Sequence, residues 1–271
     1  MSDSTNQATE WSLFLSAVMF YTRLPTPTNA PHSEEILNRS RKYFPAIGLI
    51  IGLLAAATFY IAHQAFSHGI SVLFMIIATV LATGAFHEDG FADSCDGFGG
   101  GWSKEQVLTI MKDSRVGTYA TVGILLLLSL KFMALWELSS LSFSLFASLL
   151  ITAHVISRKI SSMIIEYFDY VQDIDVSKVK PITDRRLNKP DLMVSSIISV
   201  LVLLFLAVQA LSATVSAAIA AILIGYLFAN YSRRRIGGYT GDVLGAIQQL
   251  AEMFFYLGFL ALLWSQLLDF S

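Results

Sequence analysis

From His87 to Gly101 the chain reads HEDGFADSCDGFGGG, and its three aspartates, Asp89, Asp93 and Asp96, fall at i, i+4 and i+7. On a helix this spacing puts the three carboxylates on one face. There they repel one another unless a cation compensates them. Hard oxygen ligands of this kind suit Mg²⁺, which completes its shell with phosphate oxygens and water. Phe91, Ala92, Cys95 and Phe98 occupy the other face and must pack against something, which argues against a plain solvated acidic loop. His87 opens the block, either as a structural hydrogen-bonding residue at a helix end or as a direct participant in catalysis.

Two cationic turns follow. In Lys112-Asp113-Ser114-Arg115-Val116-Gly117-Thr118, Arg115 and the free N–H groups of the following helix would converge on a phosphate. The bland alternative is a polar, positively charged end to a membrane helix. In Arg233-Arg234-Arg235-Ile236-Gly237-Gly238-Tyr239-Thr240-Gly241-Asp242, three arginines precede three glycines, and glycine lets a backbone approach an anion closely. Asp242 opens the last helix, as an N-cap or as a fourth metal carboxylate. Lys178 to Lys189, with Lys180-Pro181 at the centre, forms the longest non-apolar connection, a lid over a soluble substrate or an anchor.

These residues have to be held by a membrane scaffold. Of 271 residues, 55% are hydrophobic and 14% charged, against about 25% charged in soluble domains. The net charge of -2 offers no basic stripe for a nucleic-acid partner. Lone Cys95 cannot form an intrachain disulfide, and no signal peptide is expected ahead of Trp11. Seven stretches reach the roughly 20 residues needed to span a bilayer: about 43–66, 69–87, 116–138, 141–168, 191–210, 212–231 and 242–268. The run from Trp11 to Tyr21 is too short and reads as an interfacial or re-entrant helix. The expected fold is therefore all-α, a single polytopic bundle over 1–271.

Connections 1–42, 88–115, 169–190 and 232–241 carry the lysines and arginines outside the spans, and the turns between them carry none. The positive-inside rule puts the charged side, and with it the chemistry, in the cytoplasm. Within spans, Arg158 lies too deep to face lipid and should meet a cavity or partner. Lys131 and Glu166 read as structural residues that snorkel. Gly48, Gly52, Ala55 to Ala57 and Ala217 to Ala221 read as close helix packing. An acidic metal face and cationic turns on one side of the membrane together suit phosphoryl or nucleotidyl transfer.

The blocks that carry this chemistry resemble the cobalamin synthase family. The likeness runs nearly end to end through Arg23-Leu24-Pro25, Phe44-Pro45-x-x-Gly48, His87-x-Asp89-Gly90-x-Ala92-Asp93-x-x-Asp96-Gly97, Ile110-Met111-Lys112-Asp113-Ser114-x-x-Gly117, Ser157-Arg158 and Gly237-Gly238-x-Thr240-Gly241-Asp242-x-Leu244-Gly245-Ala246. The resemblance implies a Mg²⁺-dependent enzyme of the inner membrane that joins adenosylcobinamide-GDP to α-ribazole or its 5′-phosphate and releases GMP. It implies catalytic roles for Asp89, Asp93, Asp96, His87 and Arg158, and metal binding by Asp89, Asp93, Asp96 and Asp242. Substrate contacts would come from Lys112, Asp113, Ser114, Arg115, Lys180, Arg235, Gly237, Gly238, Thr240 and Gly241. A homo-oligomer, or association with other cobamide-assembly enzymes, is compatible with it. Glu88 stands where the family pattern expects an apolar residue, which makes it a bystander. Gln249 stands where a second glutamate before Glu252 is expected.

Other Asp-rich membrane proteins fit less well. CDP-alcohol phosphotransferases carry an Arg after the Ala of this motif, where Asp93 stands. UbiA-like prenyltransferases need two Asp-rich motifs. A divalent-cation transporter would hold its ionic residues in broken helices near the bilayer midplane, whereas these aspartates are expected to follow a complete span.

Overall fold

The computed structural model describes residues 9–27, 33–171 and 186–268. In chain order the helices are α1 (Glu10–Tyr21), α2 (Glu34–Ser40), a 3-10 turn (Arg41–Tyr43), α3 (Phe44–His63), α4 (His68–Thr83), α5 (Phe86–Gly100), α6 (Lys104–Met111), α7 (Thr118–Leu138), α8 (Phe143–Tyr167), α9 (Lys189–Gln209), α10 (Leu211–Ile236) and α11 (Gly241–Leu268). Side-chain oxygens of Thr9, Ser33 and Asn188 cap α1, α2 and α9, and Ser103 with Gln106 forms a reciprocal capping box at α6. Residues 34–63 and each of α7 to α11 are long and apolar enough to cross a bilayer, giving six such helices among the described residues. The bounds of α3 and of α7 to α11 follow the expected spans to within five residues, while the first apolar stretch also takes in α2 and so starts nine residues earlier than expected. The chain is an all-α polytopic membrane protein.

The expected span at 69–87 needs correction. α4 stops at Thr83 after 16 residues, about 24 Å at 1.5 Å per residue, and α5 departs from it at 88°. Gly84 and Ala85 both take left-handed backbone, with φ of 63° and 57°. That conformation costs nothing at glycine and strains the alanine. Arg23 fills the break: its N–H donates to the Ala82 carbonyl at 2.7 Å, and its side chain lies where a Cβ on Gly84 would be. The bent pair still runs the length of α7, with Gly69 against Trp136, Gly123 against Cys95 and Gly99 against Tyr119. By length and composition α4 and α5 form a bent apolar pair, either a broken span or a re-entrant loop, so the aspartates lie in its second helix and do not follow a complete span.

Small residues bring the other helices together as expected. A Cβ on Gly48 would strike the His154 carbonyl, one on Gly52 would come 2.6 Å from the Cα of Ile151, and one on Gly258 would come 2.9 Å from that of Ala217. α3 thus lies backbone to backbone on α8, and α11 on α10. At one end of the bundle, buried ion pairs close the frame. Arg41 meets Glu166 at 2.7 Å, and Lys42 meets Asp191 at 2.7 Å. Glu166 also accepts from the Leu187 N–H at 3.2 Å, so it does not snorkel but joins the start of α3 to the end of α8.

Candidate active site

Two glycines allow α5 and α11 to cross closely. A Cβ on Gly90 would sit 2.9 Å from the Asp242 carbonyl, and one on Gly245 would sit 3.3 Å from the Gly90 Cα. The crossing brings Asp242 to the acidic face, where Asp93 feels the charges of Asp242, Asp89 and Asp96. Asp89 is exposed, Asp93 half-buried and Asp96 buried. Among the described residues no three His, Cys, Asp or Glu side chains enclose a metal-sized space. Mg²⁺ is commonly held by only one or two carboxylates and completed by phosphate and water. Asp93 with Asp242 or Asp89 is a donor set of that kind.

Asp96 has a different occupation. Its Oδ2 accepts from the Gly117 N–H at 2.6 Å and its Oδ1 from the Ala120 N–H at 2.8 Å. A carboxylate from α5 therefore caps α7, and two of the N–H groups expected to bind phosphate already have a partner. Gly117 must be glycine here, because a Cβ would lie 2.6 Å from Asp96 Oδ1. Beside this contact, Asp113 and Arg115 form a bidentate ion pair with Nε–O distances of 3.0 Å. The pair holds the Asp113 carboxyl at about 2. Lys112, Ser114 and Arg115 are exposed, and Arg115, Gly117 and Thr118 line an open groove of about 410 Å³ with Asp96.

The expected anion cradle at 237–241 is largely a structural joint. Gly237 ends α10 in left-handed backbone at φ 94°. Gly238 lies against the Asp169 carbonyl with no space for a side chain. The Tyr239 N–H donates to that same carbonyl at 3.0 Å, and the Val171 N–H donates to the Tyr239 carbonyl at 2.9 Å. Thr240 accepts from the Val243 N–H at 3.3 Å, capping α11. Arg235 donates to the Gly101 carbonyl at 2.6 Å and stacks over Phe98, tying α10 to the end of α5. A Cβ on Gly241 would meet nothing within 4 Å, and one on Gly237 would meet only the Lys104 amino group at 3.6 Å. Lys180 lies outside the described residues.

Arg158 is buried as expected and lines a polar cavity. It donates to the His154 carbonyl at 3.0 Å and lies over the Phe44 ring. The rest of that cavity was not anticipated. Lys131, expected to snorkel, is buried and bonds Gln249 at 2.6 Å and Glu252 at 3.1 Å. Glu252 also meets His154 at 3.1 Å and Gln248 at 2.8 Å. Gln249 donates to Glu88 at 3.0 Å, so the expected bystander is part of the network. Two cations, Lys131 and Arg158, are balanced by two carboxylates, Glu88 and Glu252. His87 Nε2, Glu88 Oε2 and Arg158 Nε have no hydrogen-bond partner among the described residues. All three residues line the same cavity of about 10 Å³, roughly room for one water. The available signal was the isolated polar residues within apolar runs, at Lys131, His154, Gln248 and Glu252.

The family model for cobalamin-5-phosphate synthase matches residues 13–260. An adenosylcobinamide-GDP ribazoletransferase of Shewanella amazonensis is 43% identical over 257 residues, covering 95% of this chain and 97% of its own. One of Shewanella frigidimarina is 42% identical over 263 residues, covering 96% and 98%. One of Vibrio cholerae is 40% identical over 251 residues, covering 93% and 94%. No solved structure matches the chain. The acidic helix, the carboxylate that meets it from α11 and the cationic turns around them lie inside the matched span, and the chain belongs to the cobalamin-5-phosphate synthase family.

Proposed function

We propose that this protein is a Mg²⁺-dependent adenosylcobinamide-GDP ribazoletransferase of the cytoplasmic membrane, with its active site open to the cytoplasm. The observation that carries the reading is the meeting of Asp89, Asp93 and Asp242 at the crossing of α5 and α11, beside cationic turns and in a chain of this family. A ribose hydroxyl of α-ribazole or of its 5′-phosphate, and not the 5′ oxygen that the phosphate occupies, attacks the cobinamide-side phosphorus of adenosylcobinamide-GDP and gives up its proton to water. Its new P–O bond replaces the bond to GMP, which leaves with the electron pair. Asp89, Asp93 and Asp242 would hold Mg²⁺, which supplies neutralisation of the diphosphate when bound. Asp96 keeps the start of α7 against α5, and exposed Lys112 and Arg115 draw the nucleotide toward the groove. The lysines and arginines outside the spans support the cytoplasmic orientation.

The break between α4 and α5 removes the depth argument against a cation transporter, so the test must read chemistry. Purified protein in lipid receives adenosylcobinamide-GDP and α-ribazole, with GMP followed by chromatography. Release that needs both substrates and stops with a chelator is expected. Absence of GMP under conditions where both substrates bind would reject the transferase reading.

A further inference from the structure

We propose that the cavity beside Gly241 receives the planar aromatic base of the ribazole acceptor, presenting its ribose toward the carboxylates of α5 and α11. This deepens the transferase reading and rests on it. The cavity, about 200 Å³, lies among α1, α3, α5, α8 and α11. An apolar cavity of about 150 Å³ suffices for a benzene ring. The observed volume therefore suits a fused bicyclic ring and is far too small for a corrinoid.

Aromatic residues form its walls. Tyr21 and Phe44 stack at 4.2 Å and 22°, and Phe44 and His87 at 5.7 Å and 24°. Phe20 meets Phe86 edge to face at 5.6 Å. Such alternating faces and edges are the environment a flat aromatic ligand stacks into. Arg41, Ser161 and Ser162 put polar groups on the lining, which distinguishes an aromatic base from a lipid acyl chain. Gly241 also lines the cavity, and nothing lies within 4 Å of where its Cβ would stand. The next residue is Asp242, whose charge acts on Asp93. Gly241 thus sets the cavity one residue from Asp242, and a base held there directs its sugar toward the carboxylates over a position that carries no side chain.

The test is equilibrium dialysis of full-length protein in detergent with α-ribazole, with the corresponding riboside of single-ring imidazole, and with adenosylcobinamide-GDP. Ser162→Phe fills the cavity. It is expected to weaken α-ribazole binding at least about tenfold, a loss of roughly 1.4 kcal/mol, with adenosylcobinamide-GDP affinity held within about twofold. In the parent protein, the single-ring riboside should bind at least about tenfold more weakly than α-ribazole, since it leaves apolar and stacking surface unfilled. Undiminished α-ribazole binding by Ser162→Phe overturns the proposal, as does equal affinity for the two ribosides or no α-ribazole binding at all. If Ser162→Phe loses both substrates through misfolding, the riboside comparison in the parent decides. Cavity-dependent α-ribazole binding without GMP release would sink the transferase reading and leave the cavity assignment standing.

Discussion

Glu88→Gln tests whether the buried charge balance positions the acidic face. Glu88 precedes Asp89 on α5 and is held by Gln249 of α11, which also accepts from Lys131 at 2.6 Å. Neutralising it leaves Lys131 and Arg158 with Glu252 as the remaining carboxylate of the network. Breaking a fully buried pair costs about 3–5 kcal/mol. Because Glu88 is half-buried, part of that is screened, and about 2–3 kcal/mol of destabilisation is expected. For a chain of this size that is a fall in Tm of roughly 5–10 °C, with a lower kcat as α5 shifts against α11. The double variant Glu88→Gln with Gln249→Glu restores the charge on the other side of the same hydrogen bond, directly on Lys131 Nζ. It should recover most of both losses. Thermal unfolding in detergent and GMP release measure the two effects on the same samples. Parent-like stability and turnover in the single variant, or no recovery in the double, would refute the network argument.

Asp93→Asn removes a negative ligand while preserving shape, and turnover should fall by at least about a hundredfold with the protein still purifying as the parent does; unchanged Mg²⁺ dependence and rate would exclude it as a ligand. Asp96→Asn should act on stability first, lowering it by about 1–2 kcal/mol through the loss of one charged acceptor at the start of α7, and thermal unfolding that matches the parent would contradict the capping role. Arg158→Lys loses the planar fork that meets the His154 carbonyl and the Phe44 ring, so turnover should drop by roughly tenfold or more; a rate near that of the parent would show that a simple charge suffices there. A cysteine at Arg234, in a chain whose Cys95 is replaced by serine, should resist membrane-impermeant thiol reagents in intact cells and react after permeabilisation. Labelling in intact cells would invert the assigned orientation.

Much of the scaffold was legible because a bilayer imposes a one-dimensional rule. Backbone groups in lipid must be satisfied within a helix, so length and apolarity alone mark the spans, and 116–138 and 242–268 could be read to within two residues of α7 and α11. The i, i+4, i+7 aspartates were likewise readable, since helical periodicity is a local property. What tertiary structure decided is where that periodicity breaks and which charge meets which. The turn at Gly84 and Ala85 depends on Arg23 arriving from sixty-one positions earlier. Asp96, identical in type to Asp93, caps α7 because its position faces Gly117 and Ala120. Lys131, Glu88, Gln249 and Glu252 were each costly or anomalous alone, and become mutually compensating only when α5, α7 and α11 converge. The cost of a charge in an apolar interior depends on its three-dimensional neighbours, and these are supplied by residues more than a hundred positions away in the chain.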